Sequence, residues 1–334
     1  MDWHQRLIPS LCQPPPLLLD TEHRKSVDSY GVPSGRVGHG SNGVVMIYKR
    51  GRALYAIKRF HLRRRENLRE YMKRVNSEFC IASTVGNHAN IVRTFDLAIY
   101  EGNYCAVMEY CSGGDLFQSI KAMRMTHDHE KDCSFKQLMQ GLCFLHSIGV
   151  AHRDIKPENL LWTRDGCLKI GDFGTAQVFR SPYNNKTVAA TTTRSSSSSI
   201  MHGGGADAIV GSRPYMAVEL VRNKAITKPD ATDVWSAAIV LYCLYRHGLP
   251  WNLASVRHDV GFRAFVKSGG EDFVLFHQLT NKTIRRILCR MLDLDASKRI
   301  SAQAVLDDPW CKSIMVCQNG VDHAQRRHRH SVYG

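Results

Sequence analysis

A glycine-rich stretch near the start of the chain, GHGSNGVV at positions 38–45, has residue types that could bind phosphate. The G-x-G-x-x-G pattern does not specify this by itself, since dinucleotide binding requires a strand followed by glycines that open a helix. Here the glycines lie between two predicted strands, and the apolar run VVMIY follows them. A glycine hairpin can lie flat over phosphate groups because no side chains block its backbone amides. The stretch therefore predicts a hairpin that covers phosphates.

A lysine on the next apolar strand is a second candidate for chemistry. Lys58 ends the motif YAIK, and a lysine is costly to bury without a partner. Glu78, on the helix predicted to follow, is a candidate partner. Taken alone, the two residues are better explained as unrelated surface charges.

Two polar motifs in the middle of the chain change that interpretation. AHRDIKPENLL at 151–161 contains H-R-D-x-K-x-x-N, and LKIGDFG at 168–174 contains D-F-G. Together with the glycine stretch and the strand lysine upstream, they occur in the order that is typical of protein kinases. The chain from about Tyr30 to Ile314 resembles a eukaryotic protein kinase. The lysine two positions after the aspartate of H-R-D resembles the Ser/Thr type.

The resemblance implies that the γ-phosphate of ATP is transferred to Ser or Thr of protein substrates, with Mg²⁺ as the second cofactor. In this reaction a protein mainly positions the reactants and neutralises the charge of the phosphates. By the resemblance, Lys58 contacts the α- and β-phosphates and is held by Glu78. Asp154 accepts or orients the proton of the attacking hydroxyl, and Lys156 steadies the transferred phosphate. The magnesium ligands, which should be oxygen atoms, would be Asn159 and Asp172.

The resemblance also suggests where the adenosine of ATP lies. Met108 in VMEYCSGGDL would be the gatekeeper beside the purine, and backbone groups of Glu109 and Cys111 would hydrogen-bond its edge. Asp115 would face the ribose or a basic substrate residue, unless it serves only to cap a helix. Glu158 could add acidity there, which would favour basic substrates. The residues assigned to ATP binding are Val37, Gly38, His39, Gly40, Ser41, Asn42, Gly43, Val45, Ala56, Lys58, Met108, Glu109, Cys111 and Asp115.

Arg153 precedes the catalytic aspartate and, by the resemblance, anchors a phosphorylated activation loop through charge-assisted hydrogen bonds. An upstream activating kinase would then be a partner. Most loop hydroxyls could instead be plain linker residues, and Ser212 in GSRPY is expected to shape the substrate pocket. The candidate acceptors are Ser181, Thr187, Thr191 to Thr193, Ser195 to Ser199 and Ser212.

The loop closes with IVGSRPYMAVEL, in which Val218 stands where the family usually has proline. By the resemblance, Glu219 pairs with Arg299 of DASKRI and anchors the loop to the helical lobe. Proline fixes φ and has no backbone donor. Val218 therefore predicts a slightly looser loop end with an N–H that needs a partner, while no catalytic residue is lost.

The elements that must position these residues follow from the spacing of apolar residues. Three short strands are predicted between 32 and 60, a helix over 67–85, and two further strands about a Glu-Gly-Asn turn. Beyond CSGGDL the pattern is helical: SFKQLMQGLCFLHSIG has one apolar face, and DATDVWSAAIVLYCLYRHG is apolar on most faces, as a buried helix would be. The apolar face predicted for the helix over 67–85 consists of Leu68, Met72, Val75, Phe79 and Ala82.

These elements predict an α+β fold: a bilobal protein-kinase fold with a small β-rich N-lobe containing one helix, and a larger, mainly helical C-lobe. The Ser/Thr-rich stretch inside the activation loop has no apolar period and is expected to be disordered. The predicted organisation is a disordered arm over 1–29, a kinase domain over 30–314 (N-lobe 30–109, hinge 110–114, C-lobe 115–314, disordered insert about 180–208) and a basic, His-containing tail over 315–334.

Composition narrows the class of protein. Hydrophobic residues make up 43% of the chain and charged residues 22%, and the formal net charge is +15. The densest basic run, KRFHLRRRENLREYMKR at 58–74, contains no interleaved aromatic platform, so nucleic acid is not an expected partner. A solvated helix face explains the run, and a role at an anionic membrane surface is also compatible with it.

The eleven cysteines include no C-x-x-C pair, which indicates buried, reduced thiols and a cytoplasmic protein. A structural zinc site is not expected, although the tail histidines could bind metal. We expect a monomer, located in the cytoplasm or at the cytoplasmic face of the plasma membrane.

Several stretches resemble one branch of the family, the fungal halotolerance and nitrogen-permease-reactivator kinases. They are CLKIGDFGTAQVFR, AIVGSRPYMAVEL, GLPWNLA and DPWCKSIMVC. The branch resemblance implies regulation of plasma-membrane transporters and ion homeostasis. The alternative is a pseudokinase that serves as a scaffold or binding module. The complete catalytic set and the three loop glycines favour the enzyme.

Overall fold

The computed structural model describes residues 24–40, 43–180, 213–222 and 227–317. Within these ranges a β-rich N-lobe precedes a mainly helical C-lobe, which confirms the predicted α+β architecture. The predicted insert at about 180–208 and the tail beyond residue 317 lie outside the described residues. The described part of the chain contains no helix long and apolar enough to cross a membrane.

The N-lobe is built on a five-stranded antiparallel sheet with the strand order β1-β2-β3-β5-β4. One helix, α1, lies between β3 and β4 and covers one face of the sheet. Phe60, Tyr71 and Val75 are buried in the cluster between helix and sheet. The bounds are β1 Val32–Gly40, β2 Gly43–Arg50, β3 Ala53–Arg59, α1 Leu68–Val85, β4 Thr94–Tyr100 and β5 Asn103–Glu109.

Helix α1 begins at a capping box. The Asn67 side chain accepts a hydrogen bond from the backbone N–H of Glu70, whose carboxylate accepts one from the backbone N–H of Asn67. Such a cap satisfies backbone donors that the first turn of a helix leaves without partners. The predicted apolar face is confirmed at Met72 and Val75, which are buried. Leu68 differs: as the first helical residue it points away from the core and is 67% exposed.

The packed structure begins before residue 30, so the arm predicted over 1–29 extends too far. Residues Val27–Tyr30 form a 3₁₀ turn on the other face of the sheet. The Val27 side chain is fully buried there beside Tyr48 and Ile57. A single valine between polar residues has no periodicity, and for that reason the sequence did not reveal this contact.

The C-lobe is organised around one helix, α5, which spans Pro229–Arg246. From Ala231 to Leu244 every residue of α5 is buried, as its apolar sequence predicts. Helix α3, which spans Asp128–Ser147, packs against it. The predicted apolar face of α3 is confirmed, and the helix ends before Gly149, whose φ is +77°. A Cβ there would lie 2.2 Å from the Arg180 carbonyl oxygen, so only glycine fits.

The remaining elements are short. Strands β6 and β9 pair with each other, as do β7 and β8, and all four lie close in sequence to the motif residues described below. Their bounds, with those of the other helices, are α2 Leu116–Lys121, β6 Val150–Ala151, β7 Leu160–Trp162, β8 Leu168–Ile170, β9 Gln177–Val178, α4 Val218–Val221, α6 Val260–Lys267, α7 Val274–His277, α8 Lys282–Met291, α9 Ala302–Leu306 and α10 Pro309–Ser313.

The C-lobe also extends past the predicted boundary at residue 314. Cys317 is buried against Cys133 of α3, with 3.6 Å between their Sγ atoms. The Lys136 ammonium donates hydrogen bonds to the carbonyls of Lys312 and Ile314. The basic tail therefore begins no earlier than residue 318. The ten cysteines that the structure describes are thiols, without a disulfide among them.

Candidate active site

Lys58 of β3 lies where the two lobes meet. Its ammonium is 2.5 Å from Glu78 Oε1 on α1 and 2.8 Å from Asp172 Oδ1 in the C-lobe. Lys58 and Glu78 are both buried. The alternative of two unrelated surface charges is therefore wrong, and the predicted contact between Lys58 and Glu78 is confirmed.

The charge of Lys58 is fixed by these partners. Burial alone would lower the pKa of the Lys58 ammonium, but the carboxylates of Glu78 and Asp172 outweigh burial and raise the pKa above its ordinary value. Lys58 is therefore a permanent cation at neutral pH. A buried cation held by two carboxylates is suited to bind a third anionic group such as a phosphate.

The catalytic-loop residues lie close together in the C-lobe. The Lys156 ammonium is 2.7 Å from Asp154 Oδ2, and the Asn159 amide donates to the Asp154 carbonyl at 2.8 Å and to Oδ2 at 3.1 Å. Two donors thus fix the orientation of the Asp154 carboxylate. A carboxylate held in this way can orient a hydroxyl group and accept its proton.

Asp233, which the sequence analysis did not single out, holds this loop in place. Its carboxylate is fully buried near the start of α5 and accepts hydrogen bonds from the backbone N–H groups of His152 and Arg153, at 2.8 and 2.7 Å. It also contacts His146 Nε2 at 2.9 Å. Arg153 has a φ of +67°, which is unfavourable for a residue with a side chain. A charged residue within an otherwise apolar helix was the available signal for this role.

His152 connects the loop to the D-F-G motif. Its Nδ1 accepts a hydrogen bond from the Asp154 N–H, so its Nε2 carries the proton and donates to the Gly171 carbonyl at 2.9 Å. The ring also packs edge-on against Phe173, with 5.1 Å between the ring centroids. Asp172 has a φ of +60°, another strained position. Strain of this kind persists where surrounding contacts determine the backbone, as they do here.

The residues predicted to hold magnesium fit a hard cation. The amide nitrogen of Asn159 donates hydrogen bonds to Asp154, so its Oδ1 can accept a hydrogen bond or act as a metal ligand. Asp172 supplies carboxylate oxygens on the facing motif, in contact with Lys58. Amide and carboxylate oxygens are the ligands that Mg²⁺ prefers. The arrangement can therefore hold a cation beside a phosphate that Lys58 binds.

The glycine stretch forms a hairpin of β1 and β2, as predicted. His39 pairs with Val44 and Gly40 pairs with Gly43, and Val45 lies beside Lys58 of β3 in the sheet. Ser41 and Asn42 lie outside the described residues. Among the other predicted ATP contacts, Val37, Gly38 and Ala56 lie on these same strands.

The hinge residues lie at the end of β5. Met108 is partly buried against the α1 side of the sheet, and Cys111 is buried, which raises the pKa of its thiol to about 12. The Glu109 N–H donates to the Arg93 carbonyl, so this N–H is not available to a ligand. Asp115 caps helix α2 by accepting from the Gln118 N–H at 2.7 Å, and burial raises its pKa. Capping was one of the alternatives left open for Asp115.

Glu158 belongs to the loop that carries Asp154, is half-buried and lies near Tyr215. Its Oε2 has no hydrogen-bond partner among the described residues. Burial is the main cause that raises its pKa, Lys156 lowers it, and the charges of Asp115 and Asp154 raise it further. An orphaned carboxylate oxygen beside two other carboxylates is a place where a cationic group would be stabilised.

The end of the activation segment is tied to the C-lobe as predicted. The Arg299 guanidinium makes two parallel hydrogen bonds to Glu219, at 2.8 and 3.0 Å, and also donates to the carbonyls of Ala231 and Asp293. Val218 is the first residue of α4, and its side chain is buried. The N–H of a first helical residue has no partner within the helix, so proline at this position would remove no hydrogen bond of α4.

Arg153, the predicted anchor for a phosphorylated loop, donates to Gln177 of β9 at 2.9 Å, and burial lowers its pKa. Its Nε is buried without a partner among the described residues. The candidate phosphorylation sites from Ser181 to Ser199, together with Ser212, lie outside the described residues.

Comparison with known proteins agrees with this geometry. A family model of the protein kinase domain matches residues 32–311. The chain is 36% identical over 306 residues to the probable serine/threonine-protein kinase RTK1 of Saccharomyces cerevisiae, which covers 87% of this chain and 46% of that relative. It is 33% identical over 304 residues to serine/threonine-protein kinase hal4 of Schizosaccharomyces pombe, covering 88% and 45%.

A third relative is the nitrogen permease reactivator protein of Saccharomyces cerevisiae, which is 30% identical over 327 residues and covers 84% of this chain and 39% of that relative. These are relatives of the branch that the sequence resembles. The chain spans less than half the length of these curated relatives.

Proposed function

This chain belongs to the protein kinase family, and we propose that it is an active, non-specific serine/threonine kinase that transfers the γ-phosphate of ATP to protein hydroxyl groups. One observation carries the proposal: the Lys58 ammonium contacts Glu78 of the N-lobe and Asp172 of the C-lobe at the same time. Buried ion pairs are costly to keep. A pseudokinase that serves only as a scaffold, the alternative function, would not need to retain them.

Each residue has one task in the proposed reaction. Bound ATP and Mg²⁺ would supply the transferable phosphoryl group and neutralise its charge. Lys58 would bind the phosphates, and the oxygens of Asn159 and Asp172 would hold the cation. Asp154 would orient the substrate hydroxyl and accept its proton. Lys156, which lies 2.7 Å from Asp154, would stabilise the phosphate that is being transferred.

Transfer of radiolabelled phosphate from ATP to a protein substrate tests the proposal. Asp154→Asn is expected to lower the rate by about 10²–10⁴-fold, the contribution of a general base. Lys58→Met is expected to lower it by about a hundredfold or more. Lys282→Met, which removes an exposed lysine of the C-lobe, is the matched control. Wild-type protein with a phosphorylated loop that transfers nothing, yet still binds partners, would support the scaffold function instead.

A preference for basic substrates is the finer part of the proposal. The unpartnered oxygen of Glu158, near the charges of Asp115 and Asp154, supports it. Glu158→Gln is expected to raise KM about tenfold for a peptide with arginine near the acceptor serine. The KM for the matched alanine peptide should not change. Equal effects on both peptides would contradict a direct contact with the arginine.

Regulation of plasma-membrane transporters and ion homeostasis is proposed from the relatives, one of which is named as a reactivator of a nitrogen permease. Phosphorylation of cytoplasmic segments of fungal transporters by the purified protein, with Asp154→Asn as the control, tests this. Absence of transfer to these segments by a protein that phosphorylates other substrates would contradict the branch assignment.

A monomer in the cytoplasm, acting in part at the cytoplasmic face of the plasma membrane, is the proposed state and location. An upstream kinase that phosphorylates the activation loop is a proposed partner, supported by the half-buried Arg153 side chain, whose Nε has no partner among the described residues. Fractionation of cells that express the tagged chain tests the location. Its complete recovery with an organelle other than the plasma membrane would contradict it.

A further inference from the structure

We propose that the segment over residues 61–73, called here the β3–α1 segment, docks on the surface of a membrane that contains anionic lipids. The inference extends the proposed membrane location and rests on that location, but it does not depend on phosphoryl transfer. It commits to a lipid surface as the partner because exposed cations and exposed leucines occur together in the segment.

Four cations of the segment project into solvent. Arg64, Arg65, Arg69 and Lys73 are all exposed. No hydrogen bond or ion pair joins their side chains to any residue that the structure describes. Arg69 and Lys73 are one helical turn apart, so they lie on the same exposed face of α1. Unpaired cations on one face attract an anionic surface without the loss of existing ion pairs.

The two carboxylates of the segment do not cancel this charge. Glu66 lies within 2.8 Å of the Arg74 guanidinium through two hydrogen bonds, and that contact lowers the pKa of Glu66. Glu70 accepts a hydrogen bond from the Asn67 N–H at the helix cap. Arg74, next to the segment, therefore compensates the charge of Glu66, whereas Glu70 keeps its negative charge at the helix cap. The segment has five arginine and lysine residues against this one uncompensated acid, so its exposed face is net positive.

Two leucines of the same segment are exposed as well. Leu62 is 57% exposed and Leu68 is 67% exposed, although apolar spacing had assigned Leu68 to the buried face of α1. Leucine next to cations is the composition of segments that insert apolar side chains at the headgroup level while their charges remain in water. Single-stranded nucleic acid stacks on exposed aromatic side chains, and Tyr71, which is the segment's one residue of the Phe, Tyr or Trp type, is buried.

The segment needs both its cations and its leucines, because electrostatic attraction alone or apolar insertion alone binds a membrane only weakly. Each lysine or arginine near an anionic surface strengthens binding by about fivefold, and stable anchoring requires a second signal besides charge. The leucines provide that signal within the same stretch of chain. The segment is also joined directly to α1, which carries Glu78, so the docked surface would lie on the element that positions Lys58.

Flotation of the full chain with lipid vesicles tests the inference. The vesicles contain about 30% phosphatidylserine in phosphatidylcholine, with pure phosphatidylcholine as the reference, at an ionic strength of about 0.1 M. Wild-type protein is expected to float only with the anionic vesicles. Substitution of glutamine for Arg64, Arg65 and Arg69 together should weaken binding by about a hundredfold, and Leu62→Ser with Leu68→Ser by about tenfold.

Matched controls come from the C-lobe, where Arg257, Lys267 and Lys282 are exposed cations and Val260 and Val274 are exposed apolar residues. Glutamine at the three cations, or serine at the two valines, should leave flotation unchanged. The inference is overturned by absent flotation of wild type, by equal losses in the controls, or by leucine variants that bind as wild type does. The last result would show that the leucines do not enter the membrane and that charge alone holds the protein on the vesicles.

Kinase activity on a soluble peptide, measured without vesicles, separates this inference from the proposed function. None of the substituted residues belongs to the catalytic set, so each variant should retain wild-type activity. Protein that floats but transfers no phosphate would contradict the proposed function alone. Protein that transfers phosphate but does not float would contradict the docking surface alone.

Discussion

Lys58 is held from both sides, and the two carboxylates that hold it need not contribute equally. Glu78 is buried on α1, whereas Asp172 is also a predicted metal ligand and would be shared when the cation is bound. Glu78→Gln should therefore release Lys58 towards Asp172 and lower kcat/KM by about 10–100-fold, because a charged hydrogen bond is lost. Steady-state kinetics measures this. Glu101→Gln, at an exposed pair with Arg59, is the control, and an equal loss there would contradict the assignment.

Asp132, a half-buried carboxyl group of α3, makes the stability of the protein depend on pH. Asp132 on α3 accepts a hydrogen bond from the Tyr245 hydroxyl, and burial raises its pKa from 3.8 to about 6. Because the folded state binds this proton more tightly than the unfolded state, its contribution to stability is complete below about pH 4 and is lost by about pH 6. Asp132→Asn should abolish the loss and should be more stable than wild type above pH 6, by about 1–2 kcal/mol.

Thermal denaturation between pH 4 and pH 8 tests whether stability falls as Asp132 ionises. The difference between Asp132→Asn and wild type should grow from pH 4 to pH 6 and then stay constant. Asp165→Asn, at an exposed aspartate, should follow the wild-type curve. A variant that loses stability above pH 6 would show that the ionised carboxylate is favourable where it lies.

The short helix α4 depends on the contact between Glu219 and Arg299. The guanidinium is fully buried and makes two hydrogen bonds to the carboxylate. Glu219→Gln or Arg299→Met should each lower the free energy of unfolding by about 3–5 kcal/mol, because each leaves a buried group without its partner. The double variant should lose less than the sum of the two. Chemical denaturation of the four proteins measures the coupling, and strictly additive losses would show that the pair is not coupled.

Val218 at the start of α4 is a position that proline can occupy. The first residue of a helix is favourable for proline, and Ala217 before it has the extended conformation that proline requires, with ψ of 149°. Val218→Pro should therefore stabilise the protein by about 0.4–1 kcal/mol, because proline lowers the conformational entropy of the unfolded chain. Its activity should be unchanged. Val218→Ala should cost about 1–2 kcal/mol through lost packing. Thermal denaturation distinguishes the two variants. A destabilised proline variant would show that packing of the valine methyl groups contributes more to stability than the lower entropy of the unfolded chain.

Elements long enough to show a period were predictable from the sequence. Helix α3 and helix α5 each have more than four turns, so their apolar faces repeat several times. Strands β6 and β9 have two residues each and cannot show a period. Their position comes from contacts across the lobe. Motif residues were predictable as a set, whereas Asp233 was not, because its role consists of hydrogen bonds to a loop that is distant in sequence.

The two lobes are joined at points that frame the site. Ile91 before β4 forms a bridge with Ile170 at the end of β8, and the Val92 N–H donates to the Ile170 carbonyl at 2.9 Å. The Lys58 contact with Asp172 crosses between the lobes a second time. A ligand bound by both Lys58 and Asp172 would therefore stabilise the lobes together. We expect unfolding in the presence of the ligand to remain a single transition.

Thermal unfolding with ATP and Mg²⁺ tests this coupling. Ligand at about 100 times its Kd should add about 2.7 kcal/mol to the free energy of unfolding, which corresponds to about 4 °C in Tm for a chain of this length. Asp154→Asn should keep this shift, since Asp154 faces the substrate hydroxyl in the proposed reaction. Asp172→Asn should lose the magnesium-dependent part of the Tm shift, because it removes the carboxylate that contacts Lys58 and would hold the cation. A shift that is equal in Asp172→Asn and wild type, or that persists when a chelator replaces magnesium, would show that the metal and nucleotide are not bound between the lobes by these residues.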